Sequence, residues 1–383
     1  MKIVYCVNSI KYLGGIQRVT IVKANALASI PSNDVYIVVA DNKGGVMLSP
    51  LSDKVHLVDL NVNYYEDDWK SKFYVIKGII IKRIEHKKKL KAFLNQLQPD
   101  VVISVGLSEK NFLPLIKGPW LKIREFHFER NYRLDLAQSF FQRVVAVLGN
   151  LCDSFFLKKY DKIVSLTKED VEKNWKGFDN IAVVPNPITV NVSQVAELKQ
   201  KRVVALGRLS PQKNFASLIR AFKLVVAVHP DWELIIYGDG SQKGMLLKLI
   251  EDLGLKNNVK LPGYTGNVTQ ALLDSSIFAL SSVCEGFALV TLEAMACGVP
   301  VVSYACPCGP RDLIREGVDG FLVPVNNEKL MAERLIFLIE NENARIKAGH
   351  SAKIRSLDFS LDNVTKIWME LFNTLLQSKK TLN

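Results

Sequence analysis

Long uninterrupted apolar runs are missing from this 383-residue sequence, which argues against a chain built of membrane spans. Met1-Lys2 leads straight into the apolar Ile3–Val7, without the apolar core and small-residue cleavage site of a signal peptide. The expected location is therefore the cytoplasm, with attachment to the inner face of the cell membrane as the variant. Cysteine is scarce: Cys6, Cys152, Cys284, Cys297, Cys306 and Cys308 are scattered, most of them in apolar strand or helix patterns. That distribution reads as free thiols in a reducing compartment rather than a disulfide framework. Cys306-Pro-Cys308 has no second Cys or His pair nearby, so no metal site is expected. Low-complexity tracts and tandem repeats are also missing, which excludes disordered arrays, solenoids and propellers.

What is present suits two domains of somewhat under 200 residues each, with 48 % hydrophobic residues to fill two cores. The net charge of +12 is concentrated. Lys70, Lys72, Lys77, Lys82, Arg83, Lys87, Lys88, Lys89 and Lys91 face one acid, Glu85. Phe73, Ile76, Ile80, Ile81, Ile84, Leu90 and Leu94 recur among them at roughly helical spacing, so Ser71–Leu97 is expected to be a basic amphipathic helix. A solvated helix face and an anionic membrane surface through Lys70–Lys91 both fit. Nucleic acid is not an expected partner, because no recognised fold or aromatic stacking motif accompanies the charge.

The first half alternates short β-branched runs with helical segments. Lys2–Val7, Val35–Ala40, Val55–Leu60, Val101–Val105, Leu121–Phe126, Lys162–Leu166 and Ile181–Val184 read as buried parallel strands. This is a doubly wound α/β pattern, in which ligands sit at the carboxyl ends of the strands. Gly14-Gly15, between the first strand and a helix, either lets backbone amides approach a ligand or makes a tight turn. His127, at the end of a strand in EFHFER, is either a cleft residue or a satisfied structural histidine. Val184-Pro185-Asn186-Pro187-Ile188 marks a domain boundary, since two prolines fix an extended segment.

The second half restarts the alternation. Arg202–Leu206 runs into Gly207-Arg208-Leu209-Ser210-Pro211-Gln212-Lys213-Asn214, and the helix Phe215–Val228 follows. A strand-end glycine and two cations five residues apart form a cradle for a diphosphate: arginine grips oxygens as a fork, and lysine supplies a compact charge. Trp232–Tyr237 ends on a second glycine turn at Gly238-Asp239-Gly240. In Ser281–Pro324, Glu285 and Glu293 are the acids of an otherwise nearly uncharged stretch as far as Pro310. The glycines, Pro300 and those acids break Ile277–Cys308 as a membrane span. The stretch reads instead as a turn at Glu285-Gly286-Phe287, a helix Ala288–Cys297 capped by Gly298, and a buried strand Val299–Tyr304. Amides open at the helix start attract a phosphate, and Glu293 sits about 7–8 Å further in, placed for sugar hydroxyls or for pairing with a buried base.

Glu285 and Glu293 eight apart, EAMACGVPVV, GP-x-x-x-I and GVDGFLVP together resemble the donor-site signature of family 4 retaining glycosyltransferases of the GT-B fold, the type found in bacterial polysaccharide and lipopolysaccharide synthesis. GRL-x-x-x-K at Gly207–Lys213 and Pro185-Asn186 match as well. The resemblance implies two Rossmann-like, doubly wound parallel-sheet domains facing across a cleft. These would be an acceptor-binding domain at 1–187, a donor-binding domain at 188–358, and a final helix at 359–383 crossing back onto the first. It implies that Arg208 and Lys213, with amides at Phe287, Ala288 and Leu289 after Gly286, stabilise the diphosphate leaving group. Glu293 would take the ribose hydroxyls, Glu285 the transferred sugar, and Gly263-Tyr264 the base, with Gly14, Gly15, Gly207 and Gly238 lining the site. His127 would contact the sugar near its reacting carbon. Where the family has an acid after Gly14-Gly15-Ile16, this chain has Gln17. Asp-x-Asp, the divalent-metal clamp of the other major glycosyltransferase fold, is missing, so no cofactor and no metal are expected. The expected partners are a nucleotide-diphosphate sugar, with uridine favoured, and a glycan or lipid-linked acceptor. A catalytically silent nucleotide-sugar-binding protein is the alternative.

Overall fold

The computed structural model describes residues 1–11, 14–42, 50–64, 72–135, 137, 139–190 and 192–382. Lys70, at the head of the basic stretch, lies outside the described residues. The chain divides into two compact units. The first comprises Met1–Leu166, Val171–Thr189 and Leu361–Asn383, and the second Thr167–Asp170 and Val190–Ser360.

In the first unit, β1 (Lys2–Val7), β2 (Asp34–Val39), β3 (Val55–Asp59), β4 (Val101–Ser104), β5 (Leu121–Glu125), β6 (Lys162–Ser165) and β7 (Ile181–Val183) make one sheet in the order 3-2-1-4-5-6-7. Every pairing in it is parallel. The connecting helices are α1 (Gly15–Ala28), α2 (Lys72–Leu97), α3 (Tyr132–Asp135) and α4 (Phe140–Leu157), with α5 (Lys168–Asn174) divided between the two units after Asp170. Alternation along β1 builds two cores. Ile3, Tyr5 and Val7 face α1, while Val4 and Cys6 face the layer that holds Leu90 and Leu94 of α2 and Leu157 of α4.

The second unit has helices α6 (Phe215–Val228), α7 (Lys243–Asp252), α8 (Val268–Leu273), α9 (Leu289–Ala296), α10 (Pro310–Leu313), α11 (Glu328–Glu340) and α12 (Glu342–Ser356). Its sheet comprises β8 (Arg202–Leu206), β9 (Glu233–Tyr237), β10 (Val259–Gly263), β11 (Ile277–Leu280), β12 (Val301–Tyr304) and β13 (Gly320–Val323). These strands run 10-9-8-11-12-13, again all parallel. In each sheet the strand order reverses beside the first strand, between β1 and β4 and between β8 and β11. Such a reversal leaves a crevice at the carboxyl ends where ligands bind. The final helix, α13 (Leu361–Leu382), belongs to the first unit, where Val364, Trp368 and Phe372 are buried in the core on the α1 side.

The helix expected over Ser71–Leu97 forms as α2, with Leu90 and Leu94 buried and Ile80, Ile81 and Ile84 exposed. One expectation from the sequence needs correction. The sequence shows no apolar run of spanning length, yet among the described residues α4 is long and apolar enough to cross a membrane by length and composition, and little of it is buried. Gln142, Arg143, Asn150 and Asp153 interrupt the run and hide it from a linear reading.

Candidate functional site

The loops after β8 and β11 meet at the reversal point of the second sheet. Val283 N–H donates to the Gln212 carbonyl at 2.9 Å, and Gln212 Nε2 returns a bond to the Cys284 carbonyl at 2.8 Å. Ser281 Oγ donates to the Lys213 carbonyl at 2.8 Å. These bonds fix the two backbones, so the side chains at their tips are held in place independently. Lys213 Nζ then lies 2.6 Å from Glu285 Oε1, with the two side chains 16 % and 9 % exposed. An ammonium has three donors, so this contact leaves two for a ligand. Arg208, exposed, stands in the same loop as Lys213. Gln212 is the contributor that the sequence reading passed over, because its role is a long-range backbone bond rather than a charge.

Glycine turns end three adjacent strands. Gly207, Gly238 and Gly263 have φ of +155°, +150° and +97°. Gly207 N–H donates to the Tyr237 carbonyl at 3.0 Å, and Gly238 N–H to the Gly263 carbonyl at 2.8 Å. The result is a floor without side chains along the carboxyl edge of β8, β9 and β10, with Tyr264, 62 % exposed, at its far end. At the other side, Ala288 takes a left-handed conformation as the N-cap of α9. Gly309, at φ +135°, passes so close that a Cβ there would meet the Phe287 carbonyl carbon at 2.9 Å. Phe287 is buried and Leu289 half-buried, and Gly286 lies between Glu285 and that cap. Glu293, 1 % exposed, is the acid of an otherwise uncharged α9. A groove lined by Lys201, Trp232 and Asn258 lies at the opposite, amino-terminal end of β8 and β9 and takes no part in this arrangement.

The first unit gathers its polar groups at the carboxyl ends of β4 and β5. His127 Nε2 lies 3.3 Å from Glu125 Oε1, and Lys23 of α1 donates to the same oxygen. Trp368 of α13 closes over Lys23, whose Nζ sits 4.9 Å from the ring centroid. Burial holds the His127 imidazole down to about 4, even with Glu125 beside it, so it is neutral at physiological pH. Glu125 is also buried, but the charge and hydrogen bond of Lys23, together with the charge of Arg124, outweigh that and keep its carboxyl below the usual range. His127 and Ile16, from the first turn of α1, line a small cleft together with Arg124, Arg130, Arg133 and Asp153. Gly14 caps α1 in an extended conformation and Gly15 begins it. Gln17 folds back over this turn, since a Cβ on Gly14 would lie 2.5 Å from Gln17 Oε1. The buried triad of Lys23, Glu125 and His127 was hidden in the sequence because 102 positions separate Lys23 from Glu125.

A pH dependence follows. A histidine titrating near 6.5 when unfolded and near 4 when folded takes up its proton first in the unfolded chain. Its stabilising contribution is thus complete above about pH 6.5 and is lost as pH falls towards 4, at about 1.4 kcal/mol per pH unit. His86, pushed by burial to about 4 as well, acts in the same direction. Urea unfolding of the first unit from about pH 7 to pH 4.5 should show this loss, and His127→Asn should remove one histidine's share. A midpoint that stays level in the wild type would contradict the buried neutral imidazole.

Two doubly wound parallel sheets, the second with a cation-bearing glycine loop at its reversal point, define an α/β protein of GT-B architecture. Residues 190–355 match the family model described as glycosyl transferases group 1. An uncharacterized glycosyltransferase of Haemophilus influenzae is 28 % identical over 372 residues, 96 % of this chain and 98 % of that one. The amylovoran biosynthesis glycosyltransferase AmsD of Erwinia amylovora is 30 % identical over 223 residues, 56 % of this chain and 62 % of the relative. TarM of S. aureus, crystallised as a variant with fondaparinux, alpha-GlcNAc-glycerol and UDP, superposes with a TM-score of 0.77 at 18 % identity, covering 97 % of this chain and 99 % of that one. Residues 190–355 therefore carry the match to the group 1 glycosyltransferases, and the chain shares the GT-B fold.

Proposed function

We propose that this chain moves a sugar, with retention of anomeric configuration, from a UDP-sugar to a hydroxyl of a glycan or lipid-linked acceptor in cell-surface polysaccharide synthesis. The observation that carries the reading is the Lys213–Glu285 pair, which joins the two loops at the reversal point of the second sheet. Lys213 and Arg208, with amides at Phe287, Ala288 and Leu289, stabilise the nucleotide diphosphate as its charge develops. Fixed donors of this kind act without reorganisation at the moment of reaction. Glu285 takes hydroxyls of the transferred sugar, and Glu293 takes the ribose. Gly207, Gly238 and Gly263 let the nucleotide approach the backbone, with Tyr264 beside the base. On the acceptor unit, Gly14 and Gly15 line the approach. The neutral imidazole of His127 accepts or donates one hydrogen bond to the sugar near its reacting carbon. No protein nucleophile is assigned. Two cations at the leaving group replace a divalent ion, so transfer proceeds without metal. The amylovoran role of AmsD and the UDP bound to TarM support the substrate class.

Thermal shift with a panel of nucleotide-diphosphate sugars tests the donor. One of them should raise the melting temperature of the second unit, and excess EDTA should leave turnover unchanged. NMR of the product linkage should show the donor's anomer. A flat panel, or an inverted product, would overturn the reading.

A further inference from the structure

Helix α4 shows the solvent an unusual face. Ala146 and Leu157 are its buried residues, and Asn150, Asp153 and Ser154 on the same side bond to Asn131, Lys110 and Arg130. The opposite side carries Phe140, Phe141, Val144, Leu148, Leu151 and Phe155, from 39 % to 84 % exposed. A folded monomer rarely leaves so large a contiguous apolar patch in water. Cations frame it. Arg143 within the helix and Lys158 and Lys159 directly after it are exposed, and Lys159 Nζ stands 4.7 Å from the Phe155 ring centroid. On the same side of the sheet, α2 exposes Lys87, Lys88 and Lys91 beside Ile80, Ile81 and Ile84.

We propose that α4 lies in the headgroup layer of an anionic lipid bilayer, parallel to its plane, with the phenylalanines and leucines turned inward. The charge pattern selects this occupant: a second copy would bring like cations to the same face, whereas an anionic bilayer meets both the apolar centre and the basic frame. The helix lies on the membrane rather than across it. Asp153 is paired with Lys110 and Arg133, and Ala146 and Leu157 are packed in the protein, so one side of the helix is fastened to the unit. Lysines and isoleucines of α2 add to the attraction, but α4 supplies the insertion. This inference is independent of the sugar-transfer reading.

Co-sedimentation with vesicles of phosphatidylcholine, with and without phosphatidylglycerol, tests it. The wild type should bind the anionic vesicles. Leu148→Ser with Leu151→Ser should weaken binding by roughly tenfold or more, as expected when large apolar side chains lose their burial. Lys158→Glu with Lys159→Glu should weaken it for anionic vesicles alone. Cys152 is the exposed thiol on α4 while the other five cysteines are buried, so a polarity-sensitive dye placed there should shift to the blue on binding. Phe141→Ser, at a side chain 75 % exposed, repeats the test should the double variant fold poorly. Equal binding of wild type and the leucine variant overturns the proposal. So does a wild-type dimer that ignores vesicles and dissociates in that variant, or binding abolished by reversing Lys87, Lys88, Lys89 and Lys91 but untouched by the α4 changes.

Discussion

Lys213→Ala is expected to lower the rate of sugar transfer by about 10²–10³-fold, the usual effect of removing one fixed donor from a developing charge. The expectation rests on how the residue is held. Its carbonyl is bonded by Ser281 and its loop by Gln212, so truncation removes an ammonium without loosening the backbone. The lysine stem lies against Gly207, where a Cβ would meet Cε at 3.1 Å, and alanine leaves that space open. What remains is Glu285, 9 % exposed and without its 2.6 Å partner, at the place where a diphosphate should arrive. Two anions then oppose each other, so nucleotide affinity falls along with turnover. Removing the acid as well, in Lys213→Ala with Glu285→Ala, should recover part of the nucleotide affinity but none of the transfer, because the sugar loses its own partner. Calorimetry with UDP separates the two effects. Unchanged UDP affinity in a folded Lys213→Ala protein would withdraw the donor-site assignment, as would unchanged affinity in Glu293→Ala.

The loops that bring Lys213 and Glu285 together were legible in the sequence because their determinants are local. A strand, a glycine and two cations five apart occupy one loop, and Glu285 and Glu293 share one turn-and-helix segment. The strand order that places those loops side by side follows from the parallel alternation, since crossover connections of one hand leave few topologies. The opposite holds for Lys23, Glu125 and His127. Only β1, α1 and β5 folded together make them neighbours, and no spacing along the chain reports that. Helix α4 escaped notice for a different reason. Polar residues interrupt its apolar run, and period alone does not say which face the sheet will cover. In α2 the spacing was real: Leu90 and Leu94 are buried, with Phe93 and Leu97 packed against the same core, while Ile80, Ile81 and Ile84 are exposed.

Gly238→Ala should be the most damaging single methyl in the second unit. At φ +150° an L side chain is already disfavoured, and the added carbon would stand 1.9 Å from the Gly207 carbonyl oxygen. The obstacle is backbone, not the end of a flexible side chain, and that backbone cannot retreat cheaply. Gly207 N–H is bonded to Tyr237, Gly238 N–H to Gly263, and Leu209 N–H to the Asp239 carbonyl at 2.9 Å. A cost of roughly 2–4 kcal/mol is expected, in the range of strained or overpacked sites. Gly244→Ala in α7 is the control, because a Cβ there meets nothing within 4 Å, and alanine should be neutral or slightly stabilising in a helix. Calorimetric scans should show the transition of the second unit lowered by Gly238→Ala and unmoved or raised by Gly244→Ala. Because the proposed nucleotide site uses the same turn, Gly238→Ala should also abolish the thermal shift produced by the donor at temperatures where the variant remains folded. A variant that melts early yet binds UDP with full affinity would separate the two roles, leaving Gly238 a residue of the fold and moving the nucleotide away from the ends of β8 and β9.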